Sequence, residues 1–297
     1  MPTLLAVPNV SEGRDKAVIA RIGDAFTADK VVLLDTHSDP DHNRTVYTLA
    51  GEPSGLTAAI VAGAAAAIRA VDITSQVGAH PRVGTLDVAP IVYLRRADRG
   101  AAAAAALTLA DRLGAELKLP VLLYGALTQN ARSRADIRRG GTEALTTRVQ
   151  QGDLTPDFGP SALHPTAGAV MVAARPPLIA FNVELAPPAD LGTAKRIAAL
   201  IREGGHEGLT GVRAIAISLA NRGGVPQISM NVEDVVTTPL AHVITAITRH
   251  AAAARAELVG LAPASAFENF PANLEVANRR TIEDALADSL TAPSASD

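Results

Sequence analysis

The sequence contains no cysteine and no tryptophan, and only 3% of its 297 residues are aromatic. Without cysteine there is no disulfide, no thiolate nucleophile and no cysteine-ligated zinc or iron–sulfur site. A covalent nucleophile would therefore be serine, threonine, lysine or a carboxylate. The few aromatic rings leave little to stack a row of nucleic-acid bases. Because aromatic residues are scarce, alanine, valine, leucine and isoleucine are expected to form the core.

An excess of charge of one sign is also absent, since 27 Lys and Arg stand against 30 Asp and Glu and give a net charge of −3. Nucleic-acid-binding surfaces normally show a basic excess, so no nucleic-acid partner is expected. The amino terminus lacks the basic leader of a signal peptide. Apolar runs such as residues 101–109 fall short of the roughly 18 residues of a membrane span. A cytoplasmic protein that does not bind membranes is expected.

Hydrophobic periodicity predicts the same order of elements in both halves of the chain: strand, helix, strand, strand, helix, strand. In the first half we expect strands at residues 4–7, 31–34, 45–49 and 87–93 and helices at residues 15–25 and 54–70. In the second half we expect strands at residues 178–185, 212–219, 227–232 and 258–261 and helices at residues 190–203 and 240–257. This is the split βαβ order of ferredoxin-like domains, which predicts an α+β fold of two tandem ferredoxin-like subdomains.

The two consecutive prolines at 176 and 177 mark the expected boundary between the subdomains. The amino-terminal subdomain is predicted to span residues 1–176 and the carboxy-terminal subdomain residues 177–297. From about residue 280 the chain is expected to be a frayed tail. Pro90, within a predicted strand, indicates an edge strand or a bulge.

Three polar blocks are not required for a hydrophobic core. The first, residues 8–14, contains Asn9 and Ser11, which suit either a turn with a helix cap or a polar ligand cradle. The second, residues 35–44, carries three aspartates and two histidines between apolar strands. Such a cluster could bind a metal, but no metal geometry is fixed, and a ligand-facing loop with Asn43 and Arg44 is favoured.

The third polar block, residues 78–87, places His80 between two glycines and beside Pro81 and Arg82. A lone histidine is usually structural. Here its flanking residues can hold the imidazole in a fixed place next to a cation, and a histidine that titrates near neutral pH can act as an acid or a base. His80 is therefore the candidate catalytic residue.

Four segments in register resemble the glutamate formiminotransferase family, which includes the formiminotransferase half of formiminotransferase-cyclodeaminase. The resemblance extends from about residue 4 to residue 263. The four segments read VPNVSEGR, LLDTHSDPDHNRTVYTLAG, GAHPRVGTLDVAP and PDFGPSALHPTAGAVMVAARPPLIAFNV.

This resemblance implies two α/β subdomains with a substrate tunnel between their sheets, and a homodimer. It implies transfer of the formimino group from N-formimino-L-glutamate to nitrogen 5 of tetrahydrofolate during histidine breakdown, with tetrahydrofolate as co-substrate and no metal. The family's catalytic histidine corresponds to His80. Its folate-contacting segment corresponds to residues 164–175, which include His164, Thr166, Gly168 and Arg175. The sequence stops before any cyclodeaminase domain, so that second activity is not expected.

The sequence also departs from the family. Animal enzymes have an acidic residue at the position of His37, so the partner of His80 is expected to be Asp39 or His37 itself. Ala167 stands where the family often carries an aromatic residue, which affects how the pterin ring packs. Both substrates carry carboxylates, and Arg44, Arg82 and Arg175 are the expected cations for them. Asn9, Ser11 and Asn43 are further expected substrate contacts.

Two other functions remain open from the sequence. One is transfer of a formyl group, from formylglutamate or 5-formyltetrahydrofolate. The other is folate binding without catalysis, against which the intact motif around His80 argues, since a binding protein does not need a proton donor there.

Overall fold

The computed structural model describes residues 2–27 and 30–291, and the chain forms two compact units, Met1–Pro176 and Pro177–Asp297. The strands of the first unit are β1 (Leu4–Ala6), β2 (Asn9–Val10), β3 (Val32–Asp39), β4 (Arg44–Gly51), β5 (Leu86–Val92), β6 (Val121–Leu123) and β7 (Val170–Arg175). Its helices are α1 (Lys16–Ala25), α2 (Pro53–Ala70), α3 (Arg99–Leu117), α4 (Arg134–Arg138) and α5 (Gly141–Gln151).

The second unit contains the strands β8 (Ile179–Leu185), β9 (Val212–Leu219), β10 (Val225–Val232), β11 (Ala253–Val259) and β12 (Val276–Ala277). Its helices are α6 (Leu191–Ile201), α7 (Leu240–Thr248) and α8 (Ile282–Thr291). The strands run in the order β12-β11-β8-β10-β9, and β8 pairs antiparallel with both β10 and β11. This is the ferredoxin-like order with β12 added at one edge.

The sheet of the first unit is built around an interrupted central strand. β1 and β2 both lie between β4 and β5 and pair antiparallel with each of them. β3 lies outside β4, while β7 and then β6 extend the sheet beyond β5 with parallel pairing. Strands β1 to β5 form the ferredoxin-like part. The two sheets together confirm the predicted α+β fold with two ferredoxin-like units.

Pro90 does not mark an edge strand, because β5 is paired on both sides. It lies opposite the interruption between β1 and β2, where the amide of Val7 donates to the Pro90 carbonyl at 3.1 Å. A proline without an N–H is tolerated there because the neighbouring strand is not continuous.

Helices cover both faces of the first sheet. Residues of α1, α2 and α3 pack on one face in the larger core cluster. Ile137 of α4 and two residues of α5 pack on the other face with Val88, Leu122 and Met171. α2 has the length and hydropathy of a membrane span, with a mean hydropathy of 1.3 over 18 residues, so the expectation that every apolar run is shorter is wrong for this helix. Its buried side chains belong to the core of the unit.

Two other expectations are corrected by the structure. The second polar block is not a long loop, because β3 continues through Asp39 and pairs with β4 up to Arg44. The chain is not frayed from residue 280, because α8 begins at Ile282. The Thr281 hydroxyl accepts the amide of Asp284 at 3.0 Å and donates to its carboxylate at 2.6 Å, so Thr281 caps the first turn of α8. The last residues of the predicted tail, 292–297, lie outside the described residues.

Candidate active site

A bulge in β5 determines where Asp87 points. Asn9 pairs with Val88 but Val10 pairs with Leu86, so Asp87 is an extra residue in the register between β2 and β5. Bulges re-aim side chains and are frequent beside active sites. The carboxylate of Asp87 is fully buried, and its Oδ1 accepts the amide of Val83 at 2.7 Å.

Two arginines neutralise the buried carboxylate of Asp87. Arg44 Nη1 lies 2.6 Å from Asp87 Oδ2, and Arg138 of α4 donates to the same oxygen. Burial acts to raise the pKa of Asp87, but the positive charges of Arg138 and Arg44 outweigh it and hold this pKa below its usual range. Burial lowers the pKa of Arg44 to about 10, so the guanidinium is protonated at neutral pH. The three groups together carry a net charge of +1.

Asn43 and Arg44 connect the polar blocks to one another. Arg44 Nη2 donates to Asn9 Oδ1 at 2.8 Å, which joins the second block to the first. Asn43 Oδ1 accepts the amide of Gly13 at 2.9 Å, and its Nδ2 donates to the Val77 carbonyl at 3.1 Å. The predicted substrate contacts Asn9 and Asn43 therefore hold the site together in this structure.

Ser11 also forms hydrogen bonds within the chain. Its hydroxyl donates to the Gly84 carbonyl at 2.8 Å, and its amide donates to the Thr85 carbonyl at 2.8 Å. Both contacts fix the first polar block against the third. The role predicted for Ser11 in binding substrate stays a prediction.

His80 is held in one tautomer. Its Nδ1 lies 2.7 Å from the carbonyl oxygen of Pro81, and a carbonyl only accepts, so we assign the proton of the neutral ring to Nδ1. Part of the side chain is accessible, but surrounding protein desolvates the ring. This burial, together with the positive charges of Arg44 and Arg138, lowers the pKa of His80 well below its ordinary value of 6.5. At neutral pH the imidazole is a base whose lone pair is on Nε2.

The carboxylate that acts on His80 is Asp87, whose charge acts to raise the His80 pKa. Of the two predicted partners, Asp39 caps the β3–β4 turn, where its Oδ1 accepts the amides of Asp41 and His42 at 2.7 and 2.9 Å. His37 is a buried residue of β3 opposite Val46. Asp87 is thus a carboxylate that acts electrostatically on His80, while the catalytic roles of Asp39 and His37 stay untested predictions.

A second imidazole, His42, lies beside His80 with 5.9 Å between the ring centroids. The backbone carbonyl of His42 accepts from Arg82 Nη2 at 2.9 Å, and Arg82 Nη1 lies 3.3 Å from the Asn43 carbonyl. Because both acceptors are uncharged, these bonds do not neutralise the guanidinium of Arg82. Arg82 therefore keeps its positive charge within the motif of His80 and fixes the β3–β4 turn.

The predicted folate segment forms a tight turn against the third polar block. The backbones of His164 and Gly168 exchange two hydrogen bonds of 2.9 Å, and His164 Nδ1 accepts the amide of Ala167 at 3.0 Å. Gly168 has a φ of +69° and forms a bridge with Gly84. The structure therefore brings the turn at His164 next to the motif of His80.

The structure also gives the surroundings of Gly168, Thr166 and Arg175 in this segment. The close approach that Gly168 permits is to the Val83 carbonyl, which would lie 2.2 Å from a Cβ at this position, rather than to an open ligand surface. Thr166 is exposed, and its carbonyl accepts the amide of Ile73 at 2.8 Å. Arg175 is at the far end of β7, about 16 Å along the strand from Val170, and the structure does not group it with Arg44 and Arg82.

Sequence reasoning missed two charged residues that act electrostatically on His80. Asp87 stands in the same motif, but only the bulge shows that its side chain meets the arginines. Arg138 is 51 residues away from Asp87 in the sequence, and no local pattern marks it. Among the described residues, no group of three or more His, Asp or Glu side chains has an arrangement that could hold a metal ion.

The family models and the curated relatives of this chain agree on one family. The model of the formiminotransferase domain, N-terminal subdomain, matches residues 3–175, and that of the formiminotransferase domain matches residues 180–276. The chain is 37% identical over 273 residues to formimidoyltransferase-cyclodeaminase of Sus scrofa, covering 88% of this chain and 50% of the relative. The chain thus spans about half the length of this bifunctional relative.

Shorter relatives are matched along most of their length. The glutamate formimidoyltransferase of Streptococcus pyogenes serotype M1 is 34% identical over 268 residues, which is 88% of this chain and 89% of the relative. The glutamate formimidoyltransferase of Thermoplasma acidophilum is 36% identical over 277 residues, with 90% of each covered.

Proposed function

This chain belongs to the formiminotransferase family, and we propose that it transfers the formimino group of N-formimino-L-glutamate to nitrogen 5 of tetrahydrofolate. The products are 5-formiminotetrahydrofolate and L-glutamate, which places the protein in histidine degradation and one-carbon metabolism. The observation that carries the proposal is the state of His80, a neutral imidazole with its free lone pair on Nε2 beside a buried cluster of net positive charge.

His80 acts in both halves of the transfer. Nε2 accepts the proton that nitrogen 5 of tetrahydrofolate loses as its bond to the amidine carbon forms. The resulting imidazolium returns this proton to the glutamate nitrogen as the bond between that nitrogen and the amidine carbon breaks. The formimino group is an amidinium in both donor and product, so no net proton is released. General acid–base catalysis of this kind contributes roughly 10²- to 10⁴-fold in rate.

The hydrogen bond from Nδ1 to Pro81 supports this role of His80. It orients the ring and donates more strongly once the ring is positively charged, which stabilises the imidazolium during the reaction. Asp87 provides a further negative charge for the same state. We therefore assign Asp87 as a positioning residue that acts through His80 and the two arginines.

The positive charge of the site suits substrates with carboxylates. Arg82 and Arg44 supply the guanidinium groups, and arginine matches a carboxylate with two parallel hydrogen bonds. We propose Arg82 as the main carboxylate contact, because the acceptors of its present hydrogen bonds are neutral carbonyls. Arg44 serves chiefly to hold Asp87 and Asn9.

Several parts of the proposal rest on the family. The turn at residues 164–168 and the strand that follows are proposed to contact the folate. The substrate tunnel between the sheets stays a prediction. We also propose that the protein is cytoplasmic and forms a homodimer. The proposed reaction uses the protein's own side chains.

The proposal is tested by assaying the purified protein with tetrahydrofolate and either N-formimino-L-glutamate or N-formyl-L-glutamate. We expect 5-formiminotetrahydrofolate and L-glutamate to form in equal amounts from the first donor, at a higher kcat/KM than for the second. Faster turnover of the formyl donor would support formyl transfer instead. Folate binding without turnover of either donor would support a binding protein.

A further inference from the structure

Arg14, the last residue of the first polar block, is a charged residue that the proposed reaction does not use. Its side chain is exposed just before α1, in the same unit as His80. Among the described residues, its guanidinium donates only to the Pro40 carbonyl, from Nε at 3.0 Å. Because this acceptor is uncharged, the bond does not neutralise the guanidinium, and both Nη atoms are left to bind a ligand.

The backbone that carries Arg14 is fixed by the close contacts of Gly13. A Cβ at position 13 would lie 2.2 Å from the Asp39 carbonyl oxygen and 2.4 Å from the Arg44 amide nitrogen, so only glycine lets the first polar block pack against the β3–β4 turn. The Gly13 amide is also held by Asn43 Oδ1 at 2.9 Å. Arg14 is therefore attached to a well-fixed segment beside this turn.

The β3–β4 turn holds Arg14 and Arg82 on nearby carbonyls. Arg14 donates to Pro40, and Arg82 donates to the carbonyls of His42 and Asn43. Burial lowers the pKa of Arg82, and the positive charge of Arg14 acts in the same direction, so the two guanidinium groups lie within electrostatic reach of each other. The turn thus presents two cations whose hydrogen bonds go to neutral oxygens.

The carboxylates near Arg14 are engaged by backbone amides. Glu12 Oε1 accepts the amides of Arg14 and Asp15 at 2.7 and 3.0 Å. Asp15 Oδ1 caps α1, and Asp39 Oδ1 caps the turn. In the part of the chain that the structure describes, none of these three carboxylates forms an ion pair with Arg14. The two guanidinium groups therefore suit a ligand that brings two carboxylates of its own.

The glutamyl part of the proposed donor brings two carboxylates, and each can accept two parallel hydrogen bonds from a guanidinium. Its α-carboxylate is attached to the carbon that carries the reacting nitrogen, so it lies near His80 when the group is transferred. Arg82 is bonded to the carbonyl of His42, and the His42 ring lies beside that of His80. Arg14 is bonded earlier in the same turn, at Pro40.

We propose that Arg14 binds the γ-carboxylate of the glutamyl donor and is a specificity residue for it, while Arg82 binds the α-carboxylate. The inference rests on the proposed function for the identity of the donor. It rests on the two guanidinium groups of the turn for the need of two carboxylates. Every residue that it uses belongs to the first unit.

The test compares N-formimino-L-glutamate with N-formimino-L-glutamine as donors. The second donor has a neutral amide in place of the γ-carboxylate and is otherwise the same. The wild-type protein should use the glutamate donor with a kcat/KM at least about tenfold higher, because the glutamine donor lacks the charge-assisted pair of hydrogen bonds. In Arg14→Met this preference should fall to about twofold or less, through a higher KM for the glutamate donor alone.

Two other variants control for charge and for general effects. Arg14→Lys keeps the charge without the planar fork, so its preference between the donors should lie between those of the wild type and Arg14→Met. Arg21→Met removes an exposed arginine of α1 in the same unit and should change kcat and KM by about twofold or less. The midpoint of thermal unfolding of Arg14→Met should fall by about 4 °C or less, because one exposed hydrogen bond is lost.

The remaining outcomes overturn the assignment. An equal loss of kcat/KM with both donors in Arg14→Met would mean that Arg14 acts by holding the β3–β4 turn. Unchanged kinetics would mean a solvated surface arginine, and a higher KM for tetrahydrofolate alone would mean a contact with the folate. Equal use of the two donors by the wild-type protein would also overturn it. In these cases the proposed function stands, whereas a wild-type protein that turned over neither donor would refute the proposed function and this inference together.

Discussion

Arg44 and Asp87 lie 43 residues apart in the sequence and form a buried ion pair with 2.6 Å between Nη1 and Oδ2. The same carboxylate also accepts from Arg138. The cluster combines two guanidinium groups with one carboxylate next to His80, so it carries an excess positive charge where an imidazole must stay neutral. The electrostatics of His80 therefore follow from how two distant strands and α4 are brought together.

Replacement of His80 by alanine is expected to reduce kcat by roughly 10²- to 10⁴-fold. The imidazole transfers a proton only during the reaction, so its loss should leave the Kd for 5-formyltetrahydrofolate nearly unchanged. Steady-state kinetics and calorimetric titration measure the two quantities. Wild-type turnover in His80→Ala would rule out the acid–base role and make His37 the next candidate.

The effect of Arg82→Ala is compared with that of His80→Ala, because the two residues lie in the same motif and are proposed to have different roles. A carboxylate contact serves the ground state and the transition state alike, so this variant should mainly raise KM rather than lower kcat. Since Arg82 also holds the carbonyls of the β3–β4 turn, a modest loss of thermal stability is expected with it. A change in kcat alone would contradict the assignment.

The pH dependence of kcat/KM should report the lowered pKa of His80. The folded-state pKa lies below 6.5, so the ring stays neutral as the pH falls to 6.5 and is protonated only at lower pH. The acid limb of the profile is therefore expected below pH 6.5. Arg138→Met removes one of the charges that lower this pKa and should move the limb to higher pH. An acid limb above pH 6.5 in the wild-type protein would contradict the proposed state of His80.

Asp87→Asn should strongly destabilise the first unit. The change keeps the shape of the side chain but leaves the buried guanidinium groups of Arg44 and Arg138 without a counter-charge. Loss of one partner of a buried ion pair costs about 3–5 kcal/mol of unfolding free energy, which urea unfolding can measure. Glu116→Gln, in the partly exposed i,i+4 pair with Arg112 on α3, is the control and should change stability by about 0.5 kcal/mol or less. Equal effects of the two variants would show that the charge of Asp87 is not important for the fold.

Gly168→Ala is expected to destabilise the turn at residues 164–168 by more than an alanine at a positive φ normally costs. Its Cβ would lie 2.2 Å from the Val83 carbonyl oxygen, so the turn has to move away from the motif of His80. Gly152 has a similar φ of +80° with open space around a Cβ among the described residues, and Gly152→Ala should cost only about 1–2 kcal/mol. Chemical unfolding of both variants measures the difference. A bulky side chain at 168 is thus not a clean probe of folate binding.

Local sequence patterns predicted the elements whose formation depends only on residues a few positions apart in the sequence. Residues 15–25 were expected to form a helix with an aspartate cap, and α1 is Lys16–Ala25 with Asp15 accepting the amides of Ala17 and Val18. The capping pattern of Thr281 and Asp284 was equally local, and it was overlooked in a segment interpreted as a tail. By contrast, the length of β3 depends on pairing with β4, and its polar residues 35–39 resemble a loop when considered alone.

The sequence by itself determined the order of strands and helices, the polar blocks and the motif that contains His80. These depend on side-chain periodicity and turn chemistry within a few residues. Only the tertiary structure decided that Asp87 and Arg138 lie where their charges act on His80. Burial and electrostatic coupling depend on strand register, on a bulge and on helix packing between distant segments. A shift of one residue in register would send the side chain of Asp87 to the other face of its sheet.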